Sequence, residues 1–294
     1  MGLVGSAYLR AVQAVGRRLG YGTSVYKRDW DVLVVLDACR PDALRRAADA
    51  VDILEPSDVT TVRSVGSCSS EWLEHTFMTG RDEAAVGRTA MVTGNTWTDR
   101  YLDADRFALL DEVWKYAWDA ELDTVPADAV TDRAIRVARD HDPERLVVHY
   151  MQPHHPFVPD PLDGDSGMAR TGAHSSEASP WVLLRRGDVS KERVRTAYEA
   201  NLRYALASVE TLLDNIDGRV VVTADHANLF GEWGLYGHPK QTPVSALLTV
   251  PWVETTAADR GTRDPDLTPP ESLPVSRVYN ADGDESRLEA LGYL

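Results

Sequence analysis

Largely apolar runs of five residues recur along the chain and are typical of buried β-strands. Four of them stand out, at 32–36, 146–150, 220–224 and 246–250. Because these runs are rich in Val or Leu and apolar on both faces, we expect parallel strands that are covered by helices on both sides.

Helical patterns separate these runs. The clearest covers 191–216, where apolar residues recur every three or four positions, with Ser190 just before it and Gly218 just after it. A second covers 131–140. The alternation of strands and helices predicts an α/β fold, built on a doubly wound, mostly parallel sheet with helices on both faces.

Two long segments lack these patterns and are predicted to be surface loops. The first, 159–191, is rich in Gly, Ser, Asp and Pro, and the second covers 254–273. Loops of this length in compact domains are usually functional or mobile, so we expect such loops to build the substrate pocket.

Residues 1–25 are predicted to form an N-terminal amphipathic helix, followed by a single α/β domain over 26–294. No apolar stretch in 1–20 is long enough for a membrane span or a signal peptide. The apolar positions at helical spacing are Tyr8, Val12, Val15 and Leu19, and the basic ones are Arg10, Arg17 and Arg18. We favour a helix that packs on the domain over the alternative, a helix whose basic face contacts a membrane surface.

Composition narrows the functional classes. The formal net charge of −15 and the pI of about 4.9 argue against a nucleic-acid partner, because binding nucleic acid needs a clustered basic surface. Only four of the 31 basic residues are lysines, which is typical of a halophilic, acidic surface, although an acidic mesophilic enzyme is the alternative. Two cysteines provide no disulfide framework, so we expect a reducing, cytoplasmic location, peripheral to the membrane if the N-terminal helix binds there.

Residues that bind metals or transfer protons follow three of the predicted strands. Asp37 follows the first run, three histidines lie in 149–155 around the end of the second, and Asp225-His226 follows the third. In open α/β sheets, ligands bind beyond the carboxyl ends of the strands, so we expect these residues to meet in one crevice. Taken alone, Asp37 has a simpler alternative role as the N-cap of the following helix.

Asp225 and His226 offer one hard oxygen donor and one nitrogen donor. This mixture suits a divalent metal such as Zn²⁺ or Mn²⁺ better than Ca²⁺. Twelve residues after His226, His238 lies between Gly237 and Pro239, in a turn that can fold back over the same site. A buried salt-bridged pair is the alternative, but the return to another histidine favours the functional interpretation.

Two histidines stand between prolines, in Pro153-His154-His155-Pro156. This sequence cannot continue a helix or a central strand, so we expect a rigid, extended loop. We choose His154 as the working residue and expect His155 to be a surface histidine without a role.

The nucleophile is expected in 64–77, where small residues lead into an apolar helical pattern. The pattern places Ser69 or Ser70 at a helix N-terminus, where backbone N–H groups attract an anionic ester and a metal stabilises the serine alkoxide. Serines before helices are also common N-caps, so both roles stay open.

Together these motifs resemble the alkaline phosphatase superfamily, in its sulfatase-like branch. The stretch 37–42, Asp-Ala-Cys-Arg-Pro-Asp, is similar to the Asp-Gly-x-Arg-Pro-Asp opening of nucleotide pyrophosphatase/phosphodiesterases, and 153–156 is similar to the Pro-His-x-Pro of sulfatases. The block 225–238 is the most specific. It resembles the Asp-His-Gly-Glu stretch of sulfatases and phosphoethanolamine transferases, except that Ala227 and Asn228 replace Gly-Glu.

The resemblance implies a divalent metal held by Asp37, Asp225 and His226, with the oxygen of the nucleophile as the fourth ligand. It also implies that His154 and His238 contact the transferred group or the leaving oxygen.

The resemblance gives two positions for the nucleophile. The string 64–69 is similar to the Ser-Cys-Gly-Thr-x-Thr of phosphoethanolamine transferases and places it at Ser69. Counting back from Thr79-Gly80, as in sulfatases, gives Ser70. We favour Ser69.

Formylglycine sulfatases need Cys or Ser followed by Pro two residues later and Arg four residues later, and both residues are missing after Cys68 and after Ser69. The resemblance therefore implies a metal-dependent hydrolase or transferase of phosphate esters that works through a covalent phosphoseryl intermediate. The expected substrate is an ester of a small molecule, a glycan or a lipid headgroup. A sulfatase acting on sulfated glycans, and a non-catalytic sulfatase-like binding domain, are the alternatives.

Overall fold

The computed structural model describes residues 3–48, 54–79, 82–163 and 179–271. The helices of this part of the chain are α1 (Leu3–Gly16), α2 (Pro41–Ala48), α3 (Ser69–Leu73), α4 (Glu83–Val86), α5 (Thr98–Tyr101), α6 (Ala127–His141), α7 (Pro180–Arg186), α8 (Lys191–Leu213) and α9 (Ser245–Leu248). The strands are β1 (Val32–Leu36), β2 (Thr60–Arg63), β3 (Thr89–Thr93), β4 (Leu109–Glu112), β5 (Arg145–Tyr150), β6 (Gly218–Thr223), β7 (Leu229–Phe230), β8 (Tyr236–Gly237) and β9 (Thr249–Ala257).

Seven of the described strands form one sheet, in the order β2-β9-β6-β1-β5-β3-β4. The strands from β6 to β4 are parallel to their neighbours, whereas β9 pairs antiparallel with both β6 and β2. The prediction of an α/β fold with a mostly parallel sheet and helices on both faces is confirmed.

Alternate residues of β1 pack into two hydrophobic cores, one on each face of the sheet. Val34 and Leu36 face the core formed with α2, α6 and α8, while Leu33 and Val35 face the core that contains Trp72. Because both faces are buried, the strand is fixed in place, and so is the first residue after it.

Three of the four predicted strands are present at the predicted positions within two residues, as β1, β5 and β6. The prediction of a parallel strand over 246–250 is wrong. Leu247 belongs instead to the short helix α9 and packs against Leu229 and Leu235, and the following β9 runs antiparallel to β6. A short apolar run predicts that its residues are buried, but burial alone does not distinguish a helical turn from a strand.

The helix predicted over 191–216 is confirmed as α8, with the Ser190 side chain accepting a hydrogen bond from Arg193 N. The helix predicted over 131–140 is confirmed as α6, which begins four residues earlier, at Ala127.

The two predicted loops are only partly correct. Helix α7 lies within 159–191, capped by the Ser179 side chain and anchored by the buried Trp181, while 164–178 lie outside the described residues. The first four residues of the second predicted loop, 254–257, belong to strand β9. Ser-Pro at the start of α7 and Gly187 at its end are signals that the composition of the segment obscured.

Helix α1 forms within the predicted N-terminal segment, but the residues that pack against the rest of the protein differ from the predicted ones. Leu9 lies against the cluster of Leu229, Leu235 and Leu247, whereas Tyr8, Val15 and Leu19 are exposed. None of the helices in the described part of the chain has the length and apolarity needed to cross a bilayer.

Candidate active site

Asp37 is the first residue after β1 and is fully buried at the carboxyl edge of the sheet. Its Oδ2 accepts hydrogen bonds from Asn95 Nδ2 at 2.7 Å and from Ser69 Oγ at 3.1 Å. Asp37 does not cap α2, which begins at Pro41. Burial alone raises the pKa of this carboxyl, but the surrounding imidazoles, His149 foremost, outweigh it and lower the pKa. Asp37 is therefore a carboxylate at neutral pH.

Asp225 and His226 lie just after β6, which pairs with β1 in the sheet although four other strands separate the two in sequence order. Asp225 Oδ1 accepts hydrogen bonds from the backbone N–H groups of Ala38 and His226 at 3.0 and 2.9 Å. These bonds tie the end of β6 to the end of β1 and leave Oδ2 directed toward the site, 3.3 Å from His226 Nε2.

The tautomer of His226 follows from its backbone contact. Nδ1 lies 2.9 Å from the carbonyl oxygen of Ala227, which accepts only, so Nδ1 carries the proton. Nε2 then presents its lone pair toward Asp37 and Asp225. This arrangement suits a metal ligand.

Ser69 is the first residue of α3, and its hydroxyl lies between two of these side chains. Ser69 Oγ is 3.1 Å from Asp37 Oδ2 and 3.2 Å from His226 Nε2. Ser70 Oγ instead contacts Cys68 Sγ at 3.2 Å. The structure thus brings Ser69, and not Ser70, to Asp37 and His226.

His149 is a site residue that the sequence interpretation did not assign. It lies in β5 and is fully buried, with Nε2 3.4 Å from Asp37 Oδ2 and 4.0 Å from Asp225 Oδ2. The only sequence signal is a histidine inside an otherwise apolar strand. Such a residue needs a partner to offset its burial.

His154 and His238 lie beside this centre. The His154 ring is 5.0 Å from the His238 ring, which is 4.7 Å from the His226 ring. Burial lowers the pKa of His154, so its ring is predominantly neutral at neutral pH. Nδ1 of His238 is 2.9 Å from Asn228 Oδ1, so Asn228, which stands where the resembling motif has Glu, orients this ring.

The expectation that His155 is a surface residue is wrong. It is fully buried, stacks on His154 with a ring separation of 4.4 Å, and meets the edge of Trp181. Burial, with a further contribution from His154, lowers the pKa of His155 well below its ordinary value. Its place in the packed interior could not be read from a histidine between prolines.

Asn95 and Lys240 are two further residues that the sequence did not reveal. Asn95 follows β3 and donates to Asp37, as described above. Lys240 lies two residues after His238, where its Nζ donates to Tyr101 Oη at 2.9 Å and faces the rings of Trp97 and Tyr101. No carboxylate forms an ion pair with Lys240 among the described residues. Lys240 therefore adds an uncompensated positive charge beside the site.

The buried donors fit a divalent cation. Asp37 Oδ1, Asp225 Oδ2 and His149 Nε2 have no hydrogen-bond partner within the described ranges, and Asp37, His149 and Asp225 offer ligand atoms within 4.8 Å of one another. Burying unpaired carboxylate oxygens is costly, and a bound cation offsets that cost.

The comparisons with known proteins agree with this geometry. The sulfatase family model matches residues 65–253, more than half of the 294-residue chain. The chain belongs to the sulfatase family. Enzymes of this family transfer or hydrolyse phosphate or sulfate esters, and the resemblance to the sulfatase-like branch of the alkaline phosphatase superfamily is confirmed.

Solved structures similar to this sulfatase-family chain share its fold. One is the integral membrane protein lipooligosaccharide phosphoethanolamine transferase A (EptA) from Neisseria meningitidis, with 12% identity and a TM-score of 0.52, covering 86% of this chain and 54% of that one. Another is the C-terminal periplasmic domain of EcEptC from Escherichia coli in complex with Zn, with 14% identity and a TM-score of 0.50, covering 83% and 78% of the two chains. No curated protein matches the sequence.

Proposed function

We propose that the protein is a divalent-metal-dependent hydrolase or transferase of phosphate esters, with Ser69 as the nucleophile. The observation that carries the proposal is the position of Ser69 Oγ within 3.2 Å of both Asp37 and His226, at the N-terminus of α3. A serine hydroxyl is a weak nucleophile unless its environment favours the alkoxide.

Asp37, Ser69, Asp225 and His226 would hold the cation, with His149 as an additional donor. The cation supplies positive charge that lowers the pKa of the serine hydroxyl and neutralises the transferring oxygens. The mixture of carboxylate and imidazole donors suits Zn²⁺ or Mn²⁺ better than Ca²⁺.

In the first step the bond from Ser69 Oγ to phosphorus forms while the bond from phosphorus to the leaving oxygen breaks. The proton of Ser69 passes to solvent water as this bond forms, and the leaving oxygen takes one proton from solvent water, relayed by the ring of His154 or His238. A water molecule or an acceptor hydroxyl then attacks phosphorus and releases Ser69. Lys240 is placed to bind an anionic oxygen of the ester.

The substrate is proposed to be an ester of a small molecule, a glycan or a lipid headgroup. Sulfate ester hydrolysis is a second candidate, supported by the match to the family model. It is the weaker one, because Ser69 lacks the Pro and Arg that formylglycine formation requires. We further propose a cytoplasmic location, supported by the two free, buried thiols of Cys39 and Cys68.

The test is a comparison of nitrophenyl phosphate monoesters, diesters and sulfate esters with metal-loaded protein. We expect turnover of a phosphate ester and a trapped phosphoserine at Ser69 by tandem mass spectrometry, absent in Ser69→Ala. Turnover of the sulfate ester alone would favour the second candidate. Turnover of none of these esters by metal-loaded protein would contradict both.

A further inference from the structure

Four large apolar side chains are exposed in the described part of the chain, and all belong to two segments. Tyr8, Val15 and Leu19 lie in and just after α1, with 44%, 56% and 50% of their surface exposed, and Trp233 is 76% exposed. Tyr8 and Val15 are seven residues, or two helical turns, apart and therefore lie on one side of α1, whereas Leu19 follows the end of the helix at Gly16. Exposed apolar residues that are grouped in this way mark an interaction surface.

The two segments are in contact. Leu9 of α1 packs against the cluster of Leu229, Leu235 and Leu247, and the first two of these belong to the β7–β8 hairpin and its turn. At the end of α1, a Cβ on Gly16 would lie 1.7 Å from the carbonyl oxygen of Gln241, so the helix backbone rests directly on the chain that follows the hairpin. Helix α1 therefore packs against a cluster to which the β7–β8 hairpin contributes, and the turn of that hairpin carries Trp233.

Trp233 is held outward by an unusual backbone conformation. It lies in the hairpin turn at φ 56°, between Gly231 at φ 105° and Gly234 at φ 70°. The left-handed region costs free energy for residues other than glycine, and exposing an indole costs more. Such a conformation is retained where exposure of the side chain has a use.

The charge of the N-terminal region is opposite to that of the rest of the protein. Residues 1–28 contain five basic residues and no acidic ones, in a chain with a formal net charge of −15. Arg10, Arg17 and Arg18 are exposed. A basic, partly apolar surface on an acidic protein is complementary to a surface that is both anionic and apolar.

We infer that this surface, formed by Tyr8, Val15, Leu19, Arg17, Arg18 and Trp233, binds an anionic lipid bilayer. Helices of this kind lie in the plane of the bilayer interface, where tryptophan is also favoured. The hairpin begins just after His226 and ends just before His238, so the bilayer would lie beside the active site. The inference does not depend on the proposed function, because binding is measured without turnover.

The experiment is flotation of the full chain with vesicles of phosphatidylcholine alone or of equal parts phosphatidylcholine and phosphatidylglycerol. We expect the protein to float with the mixed vesicles and to bind them at least about tenfold more tightly than phosphatidylcholine alone. Trp233→Ser and the triple variant Tyr8→Ser/Val15→Ser/Leu19→Ser weaken binding to the mixed vesicles about fivefold or more each, because each removes inserted apolar surface.

Charge is tested with Arg17→Glu/Arg18→Glu, which we expect to lose binding about tenfold or more. The matched control is Arg88→Glu/Arg219→Glu. Arg88 precedes β3 and Arg219 is near the start of β6, so both lie at the end of the sheet opposite the active site, in exposed ion pairs. This control keeps the binding of the unmodified chain.

Three outcomes overturn the inference. The first is that the full chain does not float with mixed vesicles. The second is that both apolar variants bind these vesicles as tightly as the unmodified chain. The third is that the chain forms a dimer in solution that Trp233→Ser dissociates and that shows no vesicle binding. The last outcome would assign the surface to a second copy of the chain.

Discussion

Ser69 Oγ lies 3.1 Å from Asp37 Oδ2, whereas the next hydroxyl along the chain, that of Ser70, faces Cys68. This difference separates two serines that the sequence left as alternatives. We expect Ser69→Ala to lower kcat at least about 1000-fold and Ser70→Ala to keep activity within about threefold. Activity on a nitrophenyl phosphate ester measures both, with thermal unfolding as the control for folding. Loss of activity in Ser70→Ala but not in Ser69→Ala would show that Ser70, and not Ser69, is the nucleophile.

Metal removal is expected to abolish activity, because Asp37 and Asp225 hold buried oxygens without partners among the described residues. Dialysis against a chelator tests this, and Zn²⁺ or Mn²⁺ restores activity where Ca²⁺ does not. His149→Ala is expected to weaken metal binding about 10–100-fold in a competition assay with a chromophoric chelator. The exposed His141→Ala is its control. Equal metal affinities of His149→Ala and the unmodified protein would remove His149 from the ligand set.

Lys240 is expected to act on substrate binding, because its charge is held by aromatic rings and a hydroxyl near the site. Lys240→Met raises KM for a dianionic monoester about tenfold and for a monoanionic diester less, since the lost attraction scales with the charge of the ester. Lys240→Arg recovers most of the loss. A change in kcat with an unchanged KM would be the contrary result.

Ala38 adopts a left-handed conformation, φ 61°, at the position where the resembling motif has glycine. That conformation costs an L-residue roughly 1–2 kcal/mol. Ala38→Gly relieves this backbone strain. The relief is offset by the greater conformational freedom of glycine in the unfolded chain, about 0.5–1 kcal/mol, and by the lost burial of a methyl group, about 1 kcal/mol. We expect a stability within about 1 kcal/mol of the unmodified protein.

The matched control is Ala43→Gly, at a buried position of helix α2 with ordinary helical geometry. Without relief of backbone strain, it is expected to lose about 1–2 kcal/mol. Urea unfolding measures both variants. Equal losses in the two would show that the conformation of Ala38 carries no strain.

His155 makes stability depend on pH. Burial lowers its pKa in the folded protein, so below about pH 6.5 the unfolded chain binds more protons than the folded one. Stability is therefore lost as pH falls from about 7 to about 5. In His155→Phe this loss is smaller, by up to about 1.4 kcal/mol per pH unit. Urea unfolding across that range tests it, and parallel pH dependences of the two proteins would refute it.

The sequence was sufficient to predict those helices and strands whose apolar pattern matches the side that is buried in the structure. Strand β1 is buried on both faces, and α8 carries a side-chain cap at Ser190, so both were predicted correctly. The sequence failed at 246–250, where apolar residues bury themselves in a helical turn. It also failed at Tyr8, Val15 and Leu19, because periodicity identifies an apolar side of a helix without showing what covers it.

The site was predictable where a residue directly follows a strand, as Asp37 does, or belongs to a specific motif, as His226 does. Asn95 and His149 were missed, because their roles come from contacts with neighbouring strands of the sheet; Asn95 belongs to no motif, and the only signal for His149 is its place in an apolar strand. The salt-adapted surface stays a prediction.

The β7–β8 hairpin has one further consequence for how such a protein can change. Ala227 N bonds to Leu247 O, and the His238 ring is fixed by Asn228, so the two ends of the hairpin are anchored independently of its turn. Substitutions of the exposed Trp233 can therefore change the surface of the turn while the reacting groups keep their spacing, provided that Glu232 keeps its ion pair with Arg40. The surface to which the protein binds and the reaction that it catalyses can therefore be changed separately, which makes position 233 suitable for engineering a new binding surface.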